Sequence, residues 1–281
     1  MTSQSALRAR CCGRLCFVAA DRSEDEFGVV HTWGSGPEVV FLSNPLADPV
    51  SWSAPVRDEL LGLNYRVTTF EHRPEGLDWR SAVGAVLEFL ARSREPVALV
   101  GWSQGAAIAQ EVALAAPEAV NCAALVATYG RQNEIDKTLQ QSWDLLAHGE
   151  DDLDSLRLAM ALLTSFAPER LADDNFVADM RARQGDWAGR PALHKRRRAG
   201  TFIATYQERL SALAAVTTPC LVMGFELDTD TFAARAREVA AVIPSAHYVE
   251  LEGLAHGAPF SDAQRVWPPV IDFLRRHHRP Q

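Results

Sequence analysis

The sequence predicts an α/β fold, a mostly parallel central sheet flanked by helices, with a helical cap inserted in the second half of the chain. Three observations carry that prediction. Short, β-rich apolar runs alternate with helical patterns from about residue 27 onward, the signature of strand–helix–strand crossovers. Several of those runs are continuous in Val, Leu, Phe and Ala instead of alternating, as central strands covered on both faces require. One long interval, from about Arg131 to Ala215, reads as helix after helix without a convincing strand, and a structureless loop of that size is improbable.

Taken in order, residues 1–25 show no clear periodicity and read as a loose N-terminal arm. The strand candidates are FGVVHTW from Phe27, EVVFLS from Glu38, YRVTTF from Tyr65 and PVALVGW from Pro96. Three more follow: CAALVAT from Cys122, PCLVMGF from Pro219 and AHYVEL from Ala246. Trp79, Val83, Val86, Leu87 and Leu90 make one apolar helical stripe. Ala106 to Ala116 forms a second helix, ended before Pro117, and Phe232 to Val242 a third, stopped by Pro244. Ala263 to His278 closes the chain with Val266, Val270, Phe273 and Leu274 inward. The cap candidates are Glu134–His148, Asp154–Ser165, Pro168–Arg183 and Ala192–Leu213. The expected division is therefore an arm at 1–25, a core at 26–130 and 216–281, and a cap at 131–215.

Composition narrows the function classes. With 281 residues the chain buries a substantial core. A net charge of −8 and a pI near 5.5 argue against a general nucleic-acid binder. The short basic run from His194 to Arg198 reads as a solvated helix face. Five cysteines, an odd number, match no paired zinc spacing, so reduced thiols and no metal are expected. The apolar stretch LCFVAA behind Arg8, Arg10 and Arg14 is too short for an export signal. No run approaches the ~18 apolar residues that span a bilayer. A cytoplasmic protein acting on a small molecule, without nucleic acid or membrane as partner, is the expectation.

The chemistry is carried by Gly101-Trp102-Ser103-Gln104-Gly105, which fits G-x-S-x-G between the strand PVALV and an Ala-rich helix. Context makes the pentapeptide informative. So sharp a strand-to-helix turn leaves no room for side chains two before and two after the serine, and glycine removes both collisions. A serine alone is a poor nucleophile and needs a base with an orienting acid behind it.

After PCLVMG comes Phe225-Glu226-Leu227-Asp228, at a strand's carboxyl end. Asp228 is the chosen acid, with Glu226 and Asp230 as competitors, and it doubles as a possible helix cap alongside Thr229, Asp230 and Thr231. His256 follows in the small-residue loop Glu252-Gly253-Leu254-Ala255-His256-Gly257. His277 and His278 sit in the terminal helix tail, His194 in the basic run, and His31 and His247 inside strands. His72 and His148 precede the acid, against the order Ser, Asp, His. One oxyanion N–H is expected from Gln104. The second is expected from the loop Ser43-Asn44-Pro45-Leu46, where proline has no N–H, leaving Leu46.

From about Phe27 to its C-terminus the chain resembles the α/β-hydrolase superfamily, and the fold expected is the α/β-hydrolase fold. LSNPLADPVSW is similar to the LSN-S-L-G segment of 3-oxoadipate enol-lactonases and related bacterial hydrolases, in which Asn replaces the His of the commoner H-G loop. Asn44, Pro45 and Leu46 align on that basis. The stretch from Leu221 to Leu274 is similar to the same enzymes and to hydrolase-like proteins of actinobacterial biosynthetic pathways. Glu71-His72-Arg73-Pro74-Glu75-Gly76 stands where the family usually has D-x-R-G-x-G. The resemblance implies the triad Ser103, Asp228 and His256, a cap over the pocket, and no cofactor. Asn44 and Trp102 are the candidates beside the substrate, and Trp143, Phe166 and Trp187 suggest an apolar pocket.

Three readings follow. The first is a serine hydrolase of a carboxylic ester, lactone or thioester. The second is a same-fold enzyme of C–C hydrolysis, acyl transfer or cyclisation of a natural-product intermediate, since fold does not fix reaction. The third is a non-catalytic ligand-binding protein on the same scaffold.

Overall fold

The computed structural model describes residues 6–11, 14–24, 28–42, 49–72, 78–148, 153–182 and 205–280. Its centre is an eight-stranded sheet in the order β10-β9-β8-β7-β5-β6-β4-β3. The strands are β3 (Asp21–Glu24), β4 (Gly28–Trp33), β5 (Glu38–Leu42), β6 (Arg66–His72) and β7 (Val97–Trp102). They continue with β8 (Val120–Val126), β9 (Cys220–Phe225) and β10 (Ala246–Leu251). From β10 to β6 every pair is parallel, while β4 and β3 add antiparallel strands at one edge. All seven strand candidates are present. Central strands β7 and β9 are buried along their whole length, as their continuous apolar runs require.

The N-terminal segment departs from the expected loose arm. β1 (Ala6–Cys11) and β2 (Arg14–Ala19) form an antiparallel hairpin, and β3 pairs with β4. Backbone pairing, not apolar periodicity, organises this segment; β3 is exposed throughout.

Helices cover both faces. On one side α2 (Trp79–Leu90), α3 (Gln104–Ala115) and α9 (Ala233–Val242) enclose a core with Val40, Leu99, Ile108, Val112, Leu125 and Val222. On the other, α1 (Pro49–Gly62) and α11 (Ala263–His277) enclose Phe41, Val100, Trp52, Trp267 and Phe273. The sequence reading leaves α1 unassigned because Pro55 lies inside it. Its signal was nonetheless present: Trp52, Val56 and Leu60 recur every fourth residue and are all fully buried. α11 likewise runs through Pro268 and Pro269, where packing of Val266, Trp267, Val270 and Ile271 outweighs the lost backbone bonds.

Between β8 and β9 the described chain holds α4 (Glu134–His148), α5 (Asp154–Ser165), α6 (Pro168–Leu171), α7 (Asp174–Ala182) and α8 (Leu210–Leu213). The first two match the predicted spans. The single helix expected over 168–183 is split, because Asp173 Oδ1 accepts the N–H groups of Asn175 and Phe176 and caps a new helix. Of the helix expected over 192–213, residues 192–204 lie outside the described residues, as does the basic run. Tyr206–Arg209 is not helical.

That non-helical stretch is pinned to α3. Tyr206 is fully buried; its hydroxyl donates to Glu111 at 2.9 Å and accepts from Gln110 Nε2 at 2.7 Å. Arg209 meets Glu111 with two bonds of 2.9 and 2.8 Å, and Gln110 also donates to Tyr129 O. Removing one partner of a buried pair leaves the other uncompensated, typically costing about 3–5 kcal/mol. Glu111→Ala is therefore expected to destabilise the protein by about 3 kcal/mol, read as a fall of several degrees in Tm by differential scanning calorimetry. An unchanged melt would contradict the role given to this network.

Candidate active site

Parallel strands put their following loops at one edge of the sheet, and the strand order sets where a crevice opens. The chain runs from β5 to β6 in one direction, then returns to β7 on the other side of β5. In open α/β sheets a ligand crevice opens at such a reversal, outside the carboxyl ends of the strands. Ser103 follows β7 directly.

Ser103 has φ 58° and ψ −122°, a conformation rare for a side-chain-bearing residue and costing about 1–3 kcal/mol. The surroundings impose it. Its N–H donates to Val126 O at 2.9 Å, and its carbonyl accepts from Ala106 and Ala107 at 3.0 and 3.2 Å. A Cβ added at Gly101 would press on Gly105 O and lie 2.5 Å from Ala106 Cα, the close approach that demands glycine. Gln104 is the first residue of α3, at the positive end of the helix dipole.

Asp228 lies in the loop after β9 and is 3 % exposed. Its Oδ1 accepts from the N–H groups of Asp230 and Thr231 at 2.8 and 2.9 Å. Its Oδ2 accepts from Thr231 Oγ1 at 2.8 Å and lies 2.9 Å from His256 Nδ1. Burial pushes this carboxyl up, but the His256 charge and hydrogen bond, with the two bonds from Thr231, outweigh it and hold the pKa below the usual value. For His256, burial pushes the imidazole down. The charges of Asp228 and Asp230 and the Asp228 bond outweigh that and lift it from 6.5 to about 9. The two shifts agree: the pair is an ionised carboxylate on an imidazolium at neutral pH.

The structure separates the three acids that compete in the sequence. Asp228 takes Nδ1, Asp230 Oδ2 stands 3.3 Å from Nε2, and Glu226 accepts the N–H of Gly253 in the histidine's own loop. His256 Nε2 is buried and makes no hydrogen bond, to Ser103 or to any other described residue. Thr231, a cap candidate in the sequence, is spent on Asp228 instead; Phe232 precedes α9 at φ 53° without a side-chain cap.

Trp102, the other candidate beside the substrate, packs against the histidine loop. It is buried, its indole N–H donates to His256 O at 3.2 Å, and its ring lies 5.2 Å from the imidazole. The residue before Ser103 thus supports the histidine loop. Asn44 and Leu46, the substrate-side and oxyanion candidates of the β5 loop, lie outside the described residues, as does Trp187.

The helical segment also rests on this loop. Gly257 N–H donates to Ser165 O at 2.6 Å, and a Cβ at Gly257 would lie 2.7 Å from the Phe166 ring. Beside it, a cleft of about 620 Å³ is lined by Leu163, Phe166, Leu171, Leu227, Asp228 and Phe232, among others, but not by Ser103 or His256. It is a groove next to the acid loop. Among the described residues there is no group of three or more His, Cys, Asp or Glu able to hold a metal ion, and no helix is long and apolar enough to cross a membrane.

A model of the alpha/beta hydrolase family matches residues 16–268. The chain belongs to the alpha/beta hydrolase family. Within this family of enzymes it is 30% identical over 254 residues to BpoC of Mycobacterium tuberculosis, a proposed non-heme bromoperoxidase, covering 86% of this chain and 95% of that protein. The crystal structure of BpoC superposes with a TM-score of 0.80 at 27% identity, over 88% of this chain and 95% of that one. The enol-lactonase of Burkholderia xenovorans LB400 shares the fold, with a TM-score of 0.74 at 18% identity over 90% of this chain and 99% of that one. The alpha/beta hydrolase fold anticipated from the sequence is the one present.

The glycine argument yields a direct check. Gly101→Ala forces the methyl against the α3 backbone, and overpacking of this kind costs typically about 1–3 kcal/mol. A lowered denaturation midpoint in urea is expected; a wild-type midpoint would show that the turn has room to spare.

Proposed function

We propose that this alpha/beta hydrolase cleaves a carboxylic ester, lactone or thioester of a small organic substrate, with Ser103 as nucleophile, His256 as base and Asp228 as orienting acid. The observation that carries the reading is the positive-φ serine between β7 and α3, joined through Trp102 to a buried Asp228–His256 pair. A strained, over-determined residue of that kind marks a site where position matters more than local energy.

The chemistry then follows. Ser103 Oγ attacks the substrate carbonyl carbon as its proton passes to neutral His256 Nε2, and the resulting imidazolium is held by Asp228. Collapse of the tetrahedral intermediate breaks the bond to the alkoxide or thiolate, which leaves with the proton from Nε2. Water gives its proton to the same nitrogen, attacks the acyl-serine, and releases the carboxylic acid with Ser103 restored. The Gln104 N–H, at the start of α3, is suited to the developing oxyanion, with the Leu46 N–H as its assigned companion. The segment over 131–215 acts as the cap, supported by the contacts of Ser165 and Phe166 with Gly257. The substrate is a small molecule and the protein cytoplasmic, in keeping with the buried free thiols of Cys122 and Cys220.

The test is a panel of p-nitrophenyl esters, lactones and acyl thioesters with fluorophosphonate labelling. Wild type is expected to turn over at least one class and take the label. Ser103→Ala should lose both, with kcat/KM down by at least about 10³-fold. Labelling without hydrolysis of any member would move the reading to acyl transfer, C–C cleavage or cyclisation; failure of folded wild type to label would leave a binding protein.

The oxyanion assignment has its own check. Leu46→Pro removes one N–H and is expected to lower kcat by about 10²–10³-fold, with KM nearly unchanged. A variant as active as wild type would return that role to another backbone group.

A further inference from the structure

Asp230 stands on the wrong side of His256 for an orienting acid, and that placement has a consequence. The nitrogen that must accept the Ser103 proton, Nε2, faces Asp230 Oδ2 at 3.3 Å, close enough for an ion pair but without hydrogen-bond alignment. The opposite nitrogen is already held by Asp228 at 2.9 Å. One imidazole therefore lies between two carboxylates. They are not equivalent: the Asp228 side chain is almost fully buried and bonded by Thr231 and by the N–H of Asp230, whereas the Asp230 side chain is 38% exposed.

Resting on the triad proposed above, we infer that Asp230 is a positioning residue: it latches His256 through Nε2, and the latch must open before that nitrogen can take the serine proton. The proton on Nε2 of a latched imidazolium has to leave, to hydroxide or to a basic group of an entering substrate, and the Asp230 side chain has the solvent access to swing aside as it does.

The charges around the latch favour it. Asp228 and Asp230 both act on His256. Across from Asp230, Asp136 at the start of α4 and the buried Tyr129 hydroxyl after β8 feel its negative charge. The cations facing Asp136, Arg131 and Arg235, are bonded to Glu238 at 2.7–2.9 Å. The sign is plain. An imidazole raised to about 9 is cationic at pH 7, so the neutral base, and with it activity, grows as pH rises through that value. Removing one of two flanking anions lowers the pH at which the base appears.

Two measurements on the full chain decide this. The first follows the His256 imidazole by NMR pH titration in histidine-labelled protein, assigned with His256→Gln, in wild type, Asp230→Asn, Asp230→Ser and Asp230→Glu. Asn and Ser are expected to lower the midpoint by about one pH unit, and Glu, which keeps the charge, to leave it near wild type. The second is the pH profile of kcat/KM on p-nitrophenyl acetate, whose acid limb should move to lower pH in step, raising activity near pH 7 by about 10-fold. A midpoint that stays put in both Asn and Ser variants overturns the latch, and so does a midpoint that falls equally in Glu. The titration needs no turnover, so a wild type that hydrolyses no ester would count against the serine-hydrolase reading while leaving the latch to be judged by NMR alone.

Discussion

The bend at Ser103 is the constraint around which the described structure is arranged. A non-glycine residue at φ 58° is unfavourable by itself, so neighbouring interactions must leave the chain no easier path. β7 is hydrogen-bonded on both sides, to β5 and β8, and buried along its length. α3 begins one residue later, packed by Ala106, Ala107, Ile108 and Ala109 into the sheet and tied by Gln110 and Glu111 to Tyr129, Tyr206 and Arg209. With the strand fixed before it and the helix fixed after it, the serine has to turn within one residue.

A parallel sheet supplies the rest of the geometry at little extra cost. Because β7, β9 and β10 run in one direction, the loops after them share an edge. The residues Ser103, Asp228 and His256 follow these strands, and Asp228 meets His256 there despite their separation in sequence. What remains to be specified is local. Thr231 and two backbone N–H groups fix Asp228, Glu226 fixes Gly253, and the Trp102 indole fixes the His256 carbonyl. Each bond is modest, worth about 1 kcal/mol net and somewhat more to a charged group. Together they hold the imidazole without a large number of contacts to the ring itself.

How much of this could be read from residues alone depends on the kind of signal. Buried central strands announce themselves by composition, and all seven strand candidates, the edge strand β10 included, were placed within two residues or so. α1 did not, because Pro55 masks the Trp52, Val56, Leu60 stripe. β1 to β3 did not, because strands held mainly by backbone pairing at an edge need no apolar pattern. The tight turn at Ser103 was legible through Gly101, whose need is steric and local. Which of Glu226, Asp228 and Asp230 reaches which atom was not, since a loop's side-chain directions follow from its three-dimensional path and carry no period. The Glu111–Arg209 pair was hidden for a related reason: its partners lie 98 residues apart, and nothing in either neighbourhood points to the other.

Two carboxylates against one imidazole raise the question of why both are tolerated. A buried anion is costly unless it is matched, and Asp228 is matched by fixed donors that cannot leave. Its charge is thereby committed to Nδ1. Asp230 has water on one side and can give up its partner at small cost. The division follows from burial: the enclosed acid is fixed and the exposed one is not. On the reading proposed above, an imidazole held from one side and contested from the other is a base whose readiness depends on what displaces Asp230, a property that Ser103, His256 and Asp228 alone do not provide.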